Sequence, residues 1–292
     1  RDLVRSRGLG DVYKRQDKDR AEGEAMDISH GASFAGPMKI YAGGYEDVGD
    51  AAIIVITAGA NQKPNETRLD LVQKNAKIMT DVVTQIKEQE YKGILLIVSN
   101  PVDIMTQVAM EVSGFPEHRV FGSGTVLDSA RLRYHLGQHL GVDSRSVHAF
   151  VIGEHGDSEI AAWSSANVSG VPLNSFCEMR GHFNHEGNTE SIEEQVKNSA
   201  YEIIAKKDAT YYGIAMVVKR ICQAIVRDEK SIFPISLRMH GEYALEDVVL
   251  SMPAIVGARG IETTIPISLD EKEVSRLHES AEMLRETRKE IR

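Results

Sequence analysis

Two short apolar runs, Ala52-Ile-Ile-Val-Ile-Thr57 and Ile94-Leu-Leu-Ile-Val-Ser99, decide the fold of this chain. Turn residues bound each run, which is typical of strands buried on both faces of a parallel sheet. Between them, apolar residues recur at helical spacing over residues 68–90, and the apolar residues 38–41 predict a further buried strand. Strands that alternate with helices predict an α/β fold built on a doubly wound parallel sheet.

Small and polar residues stand at the ends of both apolar runs. Gly59 and Ala60 follow the first run, and Ser99 and Asn100 end the second. A doubly wound sheet binds its ligands outside the carboxyl ends of its strands. These four residues are therefore candidate cofactor contacts.

The pattern changes beyond about Thr125. Helical stretches dominate there, with strands predicted at residues 234–239 and 247–256 and a charged helix at residues 270–292 that turns Leu277 and Leu284 inward. We therefore divide the chain into a cofactor-binding domain at residues 17–124 and an α+β substrate domain at residues 125–292. Residues 1–16 fit neither pattern.

The segment Val151-Ile-Gly-Glu-His-Gly-Asp-Ser158 presents a candidate proton carrier, because the histidine side chain titrates near neutral pH. Asp128 and Arg131 are three residues apart, so a helix over residues 125–137 would place both on one face. The carboxylate of Asp128 can fix the tautomer of His155, and the planar fork of Arg131 can bind a substrate carboxylate. An ordinary helix-surface ion pair is the alternative for Asp128 and Arg131. A hydrolase triad with Ser158 is disfavoured because no nucleophile elbow precedes it.

From about residue 22 to its end the chain resembles the lactate and malate dehydrogenase family. The resemblance implies a Rossmann-like cofactor domain, NAD as cofactor and an oxidoreductase. Five motifs carry it in family order: residues 22–30 (Glu-Gly-Glu-Ala-Met-Asp-Ile-Ser-His), residues 56–71 (Ile-Thr-Ala-Gly-Ala-Asn-Gln-Lys-Pro-Asn-Glu-Thr-Arg-Leu-Asp-Leu), residues 99–103 (Ser-Asn-Pro-Val-Asp), residues 122–124 (Gly-Ser-Gly) and the histidine segment.

The resemblance also implies residue roles. His155 is expected to donate and accept the proton with Asp128 as its partner, while Arg131 binds the carboxylate of a 2-oxo acid. Arg68, at the end of a mobile loop, is expected to polarise the ketone, and Ser123 joins the cofactor contacts. The family's substrate contacts match Asn100 and Thr210, although Asp208-Ala209 precedes Thr210 where the family usually has Gly-Ala.

Gln62 indicates which substrate the site accepts. By the resemblance this position faces the far side of the ketone, where malate dehydrogenases carry an arginine. An unpaired oxaloacetate carboxylate beside a neutral amide would cost about 3–5 kcal/mol. Pyruvate and lactate are therefore the expected substrates. A malate or other 2-hydroxy-acid dehydrogenase is the nearest alternative, and a non-catalytic structural or regulatory subunit of the same fold is the alternative from another class.

The first 16 residues depart from the family. The glycine-rich turn that receives the dinucleotide pyrophosphate is absent, because Tyr13 follows Gly8 and Gly10 where a third glycine is expected. Arg15 stands where an acidic residue would bind the ribose hydroxyls. We expect a sheet lacking its usual first strand, a non-native segment at residues 1–16 and weak NADH binding by the chain as written.

Regulation and assembly are further expectations from the resemblance. Arg133 and His148 match positions that bind fructose 1,6-bisphosphate between subunits, so we expect an allosteric homotetramer. The family implies a cytoplasmic enzyme of glycolysis and pyruvate fermentation. Only two cysteines in 292 residues argue against a disulfide framework or a zinc site, and a net charge of -9 argues against nucleic acid as a partner. No apolar run suggests a membrane span.

Overall fold

The computed structural model describes residues 18–34, 38–60 and 68–291. Its helices are α1 (Lys18–Gly31), α2 (Arg68–Glu88), α3 (Val102–Ser113), α4 (Val126–Leu140), α5 (Leu173–Met179), α6 (His185–Lys207), α7 (Tyr212–Val226) and α8 (Glu271–Lys289). Its strands are β1 (Ile53–Ile56), β2 (Ile94–Ile97), β3 (Val120–Gly122), β4 (Val147–His148), β5 (Val151–Ile152), β6 (Ile160–Ala161), β7 (Asn167–Val168), β8 (Val171–Pro172), β9 (Ser231–His240), β10 (Glu246–Gly257) and β11 (Gly260–Thr264).

Six of these strands form one mixed sheet in the order β1-β2-β3-β9-β10-β11. Strands β1, β2 and β3 are parallel, with Ile53 opposite Ile94 and Leu95 opposite Val120. Strands β9, β10 and β11 are antiparallel, and the single pair Gly122 and Ser236 joins the two parts. The α/β class with a parallel strand–helix–strand pattern is confirmed. The strands of the second half extend the same sheet, so the hydrogen-bonded sheet is continuous across the boundary at residue 125.

The apolar runs became strands and helices because they can be buried. Strand β2 is fully buried along its length, as a strand covered by helices on both faces should be. Helix α2 packs against α3, and Met79, Val83 and Ile86 on its inner face are inaccessible to solvent. The predicted helix at residues 68–90 is thus confirmed, except that the helix ends at Glu88. The predicted strands at residues 234–239 and 247–256 are also confirmed, as the longer strands β9 and β10.

The prediction of a strand at residues 38–41 was wrong. The structure shows an isolated bridge at Tyr41 and no ladder across these residues, whose side chains stay partly or largely exposed. A single bridge does not make a strand, because a strand needs a ladder of successive hydrogen-bonded pairs, and no described strand forms such a ladder with residues 38–41. The predicted absence of the usual first strand concerns the segment 1–16, with Gly8, Gly10, Tyr13 and Arg15, which lies outside the described residues.

A second apolar core underlies the substrate half. It lies between α4, α5, α6 and two small antiparallel sheets, β4-β7-β8 and β5-β6. Helix α8 begins with a reciprocal cap in which Asp270 and Glu273 bond each other's main chains. Its Leu277 and Leu284 are buried, as expected from the sequence. Within the described ranges, no helix combines the length and apolar character that crossing a membrane requires.

Candidate active site

Hydrogen bonds join the start of helix α4 to strand β5, and they bring Asp128 and Arg131 close to His155. The chain turns from β3 into α4 at Gly124, whose φ is +51° and whose Cβ position would lie 2.6 Å from the main-chain nitrogen of Ser236. Only glycine suits that turn. Thr125 Oγ1 then donates to the carbonyl oxygen of Val151 at 2.5 Å, and the Val151 N–H donates to Ser129 Oγ at 2.8 Å. The first turn of α4 therefore lies beside the loop that follows β5.

One carboxylate joins the three residues that the sequence singled out. Asp128 Oδ2 lies 2.7 Å from Nδ1 of His155, and its Oδ1 accepts a hydrogen bond from Nη1 of Arg131 at 2.8 Å. The Asp128 side chain is 3% exposed, whereas that of His155 is 26% exposed and can still be reached from solvent. Among the described residues, Nδ1 of His155 has a hydrogen-bond partner in Asp128 and Nε2 has none, which leaves Nε2 for a ligand.

Charge controls protonation at this site. Burial alone would lower the pKa of His155, but the Asp128 carboxylate, through charge and hydrogen bond, raises it to about 9. Burial would raise the pKa of Asp128, yet His155 and Arg131 hold that pKa below its usual value. His155 is therefore an imidazolium at neutral pH and Asp128 is its counter-ion.

The sequence did not identify Glu159, which is 5% exposed. Burial, together with the charge of Asp128, raises the pKa of its carboxyl to about 8. Asp128, His155 and Glu159 form a group of metal-ligating residue types whose potential ligand atoms all lie within 4.8 Å of one another. No other group of three or more His, Cys, Asp or Glu residues among the described residues is this close. The Asp128 carboxylate already accepts a hydrogen bond from Nδ1 of His155, and the high pKa values of His155 and Glu159 mean that this group can hold protons near neutral pH. The one feature of the sequence that could have pointed to Glu159 is its position four residues after His155.

The carboxyl ends of the parallel strands β1 and β2 lie at one edge of the sheet, as predicted, and strand β3, which the sequence did not predict, ends at the same edge. Asn75 on α2 connects two of them, because its Oδ1 accepts from the Ala60 N–H at 2.8 Å and its Nδ2 donates to the Asn100 carbonyl at 3.0 Å. Ser99 Oγ donates to the Ile56 carbonyl at 3.2 Å, which ties β2 to β1. The sequence pattern did not single out Asn75, whose role depends on contacts with two distant turns.

This edge presents small and polar groups to a ligand. Gly59 is partly exposed, and a Cβ there would make ordinary van der Waals contact with the Asn75 side chain at 3.6 Å. The Asn100 side chain is exposed, and its amide group bonds no other residue in the described part of the chain. Ser123 is buried at the end of β3, where its N–H donates to the Ile97 carbonyl at 2.8 Å. These residues could hold the nicotinamide half of a dinucleotide.

The structure says less about three expected substrate contacts, Gln62, Arg68 and Thr210, than about His155 and Arg131. Gln62 and the loop around it lie outside the described residues, as does the side chain of Arg68, whose main chain begins α2. Thr210 is partly buried in the connection between α6 and α7, two helices that both contact α4. Asp208 occupies the position where the family usually has glycine and takes the left-handed conformation, with φ of +65°. Aspartate tolerates that conformation, so the turn before Thr210 forms without glycine.

The two expected regulatory residues lie on adjoining elements. Arg133 is on α4 and His148 is on β4, which contacts α4. His148 is exposed, whereas Arg133 is partly buried and its Nε has no hydrogen-bond partner within the described part of the chain. Burial lowers the pKa of Arg133.

Fold and site together define a dinucleotide-dependent oxidoreductase. The family model for the NAD-binding domain of lactate/malate dehydrogenase matches residues 3–122, and the model for the alpha/beta C-terminal domain of the same family matches residues 125–292. The chain therefore belongs to the lactate/malate dehydrogenase family, and NAD is its cofactor.

Individual relatives agree with this assignment. An L-lactate dehydrogenase from Acetivibrio thermocellus is 48% identical over 91% of this chain and 84% of its own length. One from Priestia megaterium is 49% identical over 93% of this chain and 85% of its own length. A lactate dehydrogenase from a Medee basin deep-sea metagenome library has a structure with a TM-score of 0.91 and 46% identity, covering 94% of this chain and 88% of that one.

Proposed function

We propose that this chain interconverts L-lactate and pyruvate with NAD as the hydride carrier. The observation that carries the proposal is the single carboxylate, Asp128, that binds His155 at 2.7 Å and Arg131 at 2.8 Å. A proton carrier and a carboxylate-binding cation thus share one anchor. The names of the relatives, L-lactate dehydrogenases in several bacteria, support the choice of substrate.

His155 is the acid in pyruvate reduction and the base in lactate oxidation. Because Asp128 accepts a hydrogen bond from the Nδ1–H group of His155, the Nε2 proton is the one available to the ketone oxygen. Asp128 also stabilises the imidazolium form of His155, both before the proton leaves for the ketone and after a proton returns from lactate. NAD, when bound, supplies or accepts the hydride at the substrate's C2 carbon. Glu159 adds a second buried carboxyl, with an oxygen within 4.8 Å of a ring nitrogen of His155.

The remaining residues orient the substrate and hold the cofactor. Arg131 uses Nη1 on Asp128, which leaves the other edge of its guanidinium for the substrate carboxylate. We assign Asn100 and Thr210 to further substrate contacts and Arg68 to the ketone oxygen, reached when its loop closes and expels water. For the nicotinamide half of NAD we propose the strand-end residues Gly59, Ala60, Ser99, Asn100 and Ser123.

We propose a division of labour between two domains. Residues 17–124 hold the cofactor and residues 125–292 supply His155, its partner and the substrate-binding arginine. Calorimetry with NADH, followed by an assay of NADH oxidation with pyruvate, tests the assignment. We expect weak binding of NADH, because residues 1–16 lack the pyrophosphate turn, together with low but measurable turnover of pyruvate. Binding of NADH with no turnover on any 2-oxo acid would indicate a non-catalytic subunit of the same fold.

Gln62 supplies the test of substrate choice. We expect Gln62→Arg to shift the ratio of kcat/KM for pyruvate to that for oxaloacetate by at least about tenfold toward oxaloacetate, because the new cation pairs the second carboxylate. Measuring both substrates for both proteins gives the ratio. Gln89→Arg, a change of the same kind just beyond the end of α2, is the control and should leave it alone. An unchanged ratio in an active Gln62→Arg protein would contradict the proposal that Gln62 contacts the substrate.

We further propose that Arg133 and His148 bind fructose 1,6-bisphosphate between subunits of a homotetramer. The partly buried Arg133, with its unpaired Nε, supports an anionic partner from outside the described residues. Cationic residues facing each other across a symmetry axis repel until a bisphosphate bridges them, so the ligand should favour the assembled state. Exposed apolar side chains of Met26, Ile28, Tyr212 and Met216 also support assembly.

Titration with fructose 1,6-bisphosphate tests this regulatory site. In the wild type we expect the ligand to lower the KM for pyruvate and to increase the tetramer fraction in sedimentation. Arg133→Gln should abolish both responses while keeping the unliganded KM, since Arg133 does not contact the Asp128 carboxylate. Equal substrate curves for both proteins, with and without the ligand, would count against the site.

A cytoplasmic role in glycolysis and pyruvate fermentation completes the proposal. Lactate formation regenerates NAD, and a reducing compartment suits the free thiols of Cys177 and Cys222. Fractionation of the source cells, with lactate output measured in a deletion strain, tests both parts.

A further inference from the structure

Asp103 is a buried carboxylate that the mechanism above does not use. It lies in the first turn of α3, at the end of the Ser-Asn-Pro-Val-Asp motif, and is 2% exposed. Its Oδ2 accepts a hydrogen bond from the main-chain N–H of His155 at 2.7 Å. Its Oδ1 accepts from Ser236 Oγ at 2.6 Å and, more weakly, from Ser251 Oγ at 3.4 Å.

These contacts link the loop that carries His155 to strands β9 and β10. Ser236 on β9 and Ser251 on β10 are opposite each other in the sheet register. The main chain of Ser251 also pairs with Gly153, with hydrogen bonds of 2.9 and 2.8 Å, two residues before His155. The loop carrying His155 is therefore fixed to β10 by its backbone and to α3 by Asp103.

The hydrogen bonds to Asp103 do not require a negatively charged acceptor. An amide or hydroxyl oxygen could accept the same N–H and O–H groups without burying a charge, which is costly away from water. Burial indeed raises the pKa of Asp103 to about 6, even though the Ser236 hydroxyl and the His155 N–H act to lower it. The carboxyl is still ionised in the range where His155 titrates. A buried negative charge is favourable there if a positive charge forms beside it.

We propose that Asp103 is a positioning residue for His155, which fixes its main chain between α3 and β10 and provides a second negative charge for its imidazolium ring. Asp128 from α4 orients the ring, and Asp103 from α3 holds the loop. This inference rests on the proposed role of His155 as the proton carrier.

Several other charged groups face this pair. Asp128 and Glu159 act on His155, and Glu154 opposes the ionisation of Asp103. Arg131 and Lys197 act on Glu159. Any test must therefore separate the charge of Asp103 from those of Asp128 and Glu159, which a substitution at residue 103 alone can do.

The experiment is a pH titration of the His155 ring by NMR in full-length protein labelled at its histidines. His155→Gln identifies the resonance, and the nine other histidines of the ten report whether each variant is folded. Asp103→Asn keeps the shape and removes the charge, and should lower the midpoint of His155 by about one pH unit. Ser251→Ala removes a buried hydroxyl from the same carboxylate but keeps the charge, and should leave the midpoint nearly unchanged. If Asp103→Asn does not fold, Asp103→Ser, a smaller neutral residue, should give the same decrease.

The outcomes separate this inference from the proposed function. A His155 midpoint that stays at the wild-type value in a folded neutral variant overturns the positioning role, even if activity is lost. A lowered midpoint, with the alkaline limb of kcat/KM for pyruvate moving down by the same amount, supports both. A lowered midpoint in a protein series that never reduces pyruvate supports the role of Asp103 while contradicting the proposed reaction.

Discussion

Replacing Asp128 with asparagine should lower kcat/KM for pyruvate reduction by about 10³-fold. The amide keeps the size of the side chain, but it removes the charge that raises the pKa of His155 and offers its NH2 group to Nδ1 as readily as its oxygen. The ring would then lose both its fixed tautomer and its counter-ion. Steady-state kinetics with saturating NADH measure the change.

The pH dependence distinguishes this cause from general damage. Pyruvate reduction needs the protonated ring, so the wild-type rate should hold up to about pH 9, the pKa of His155, and fall above it. In Asp128→Asn that fall should begin at lower pH. Asp143→Asn makes the same change at the exposed pair with Arg145 and should leave rate and profile intact. An Asp128→Asn protein with the wild-type alkaline limb would contradict the coupling.

Arg131→Lys should raise the KM for pyruvate strongly, with a loss of about 100-fold in kcat/KM. Lysine can keep an ion pair with Asp128, but it cannot also present two parallel N–H groups to a substrate carboxylate. The loss should therefore appear mainly in KM, whereas the His155 midpoint should change little. Arg145→Lys, at the exposed turn, is the matched control. A KM within twofold of wild type would mean that Arg131 serves only as an ion-pair partner of Asp128.

Local patterns predicted the parts of the fold that are locally determined. The runs at β1 and β2 and the stripe on α2 carry their own period, so their class and approximate bounds followed from the sequence. Residues 38–41 carry the same apolar signal, but a strand also needs a ladder of hydrogen-bonded pairs, and no described strand forms one with them. The extension of the sheet through β9 and β10 rests on the pairing of Gly122 with Ser236, more than 100 residues apart, which no local pattern encodes.

The same distinction applies to the site. Asp128 and Arg131 could be paired from the sequence because three residues along a helix define a face, and family motifs supplied His155. Asp103 ends the Ser-Asn-Pro-Val-Asp motif, but the sequence does not predict its role, since its contact with the His155 N–H spans 52 residues and depends on where α3 meets β10. Glu159 was missed because its unusual pKa arises from burial, which becomes visible only once the loop is folded.

The central claim is that His155 protonates the oxygen of a ketone that NADH reduces by hydride transfer, and that the far side of this ketone carries no charge. The most direct test compares kcat/KM of this chain for pyruvate and for oxaloacetate, following NADH oxidation and identifying the product enantiomer. We expect L-lactate from pyruvate, with pyruvate favoured by at least about 100-fold, the factor expected for an unpaired carboxylate in a closed site. Equal or greater activity with oxaloacetate would contradict the substrate assignment.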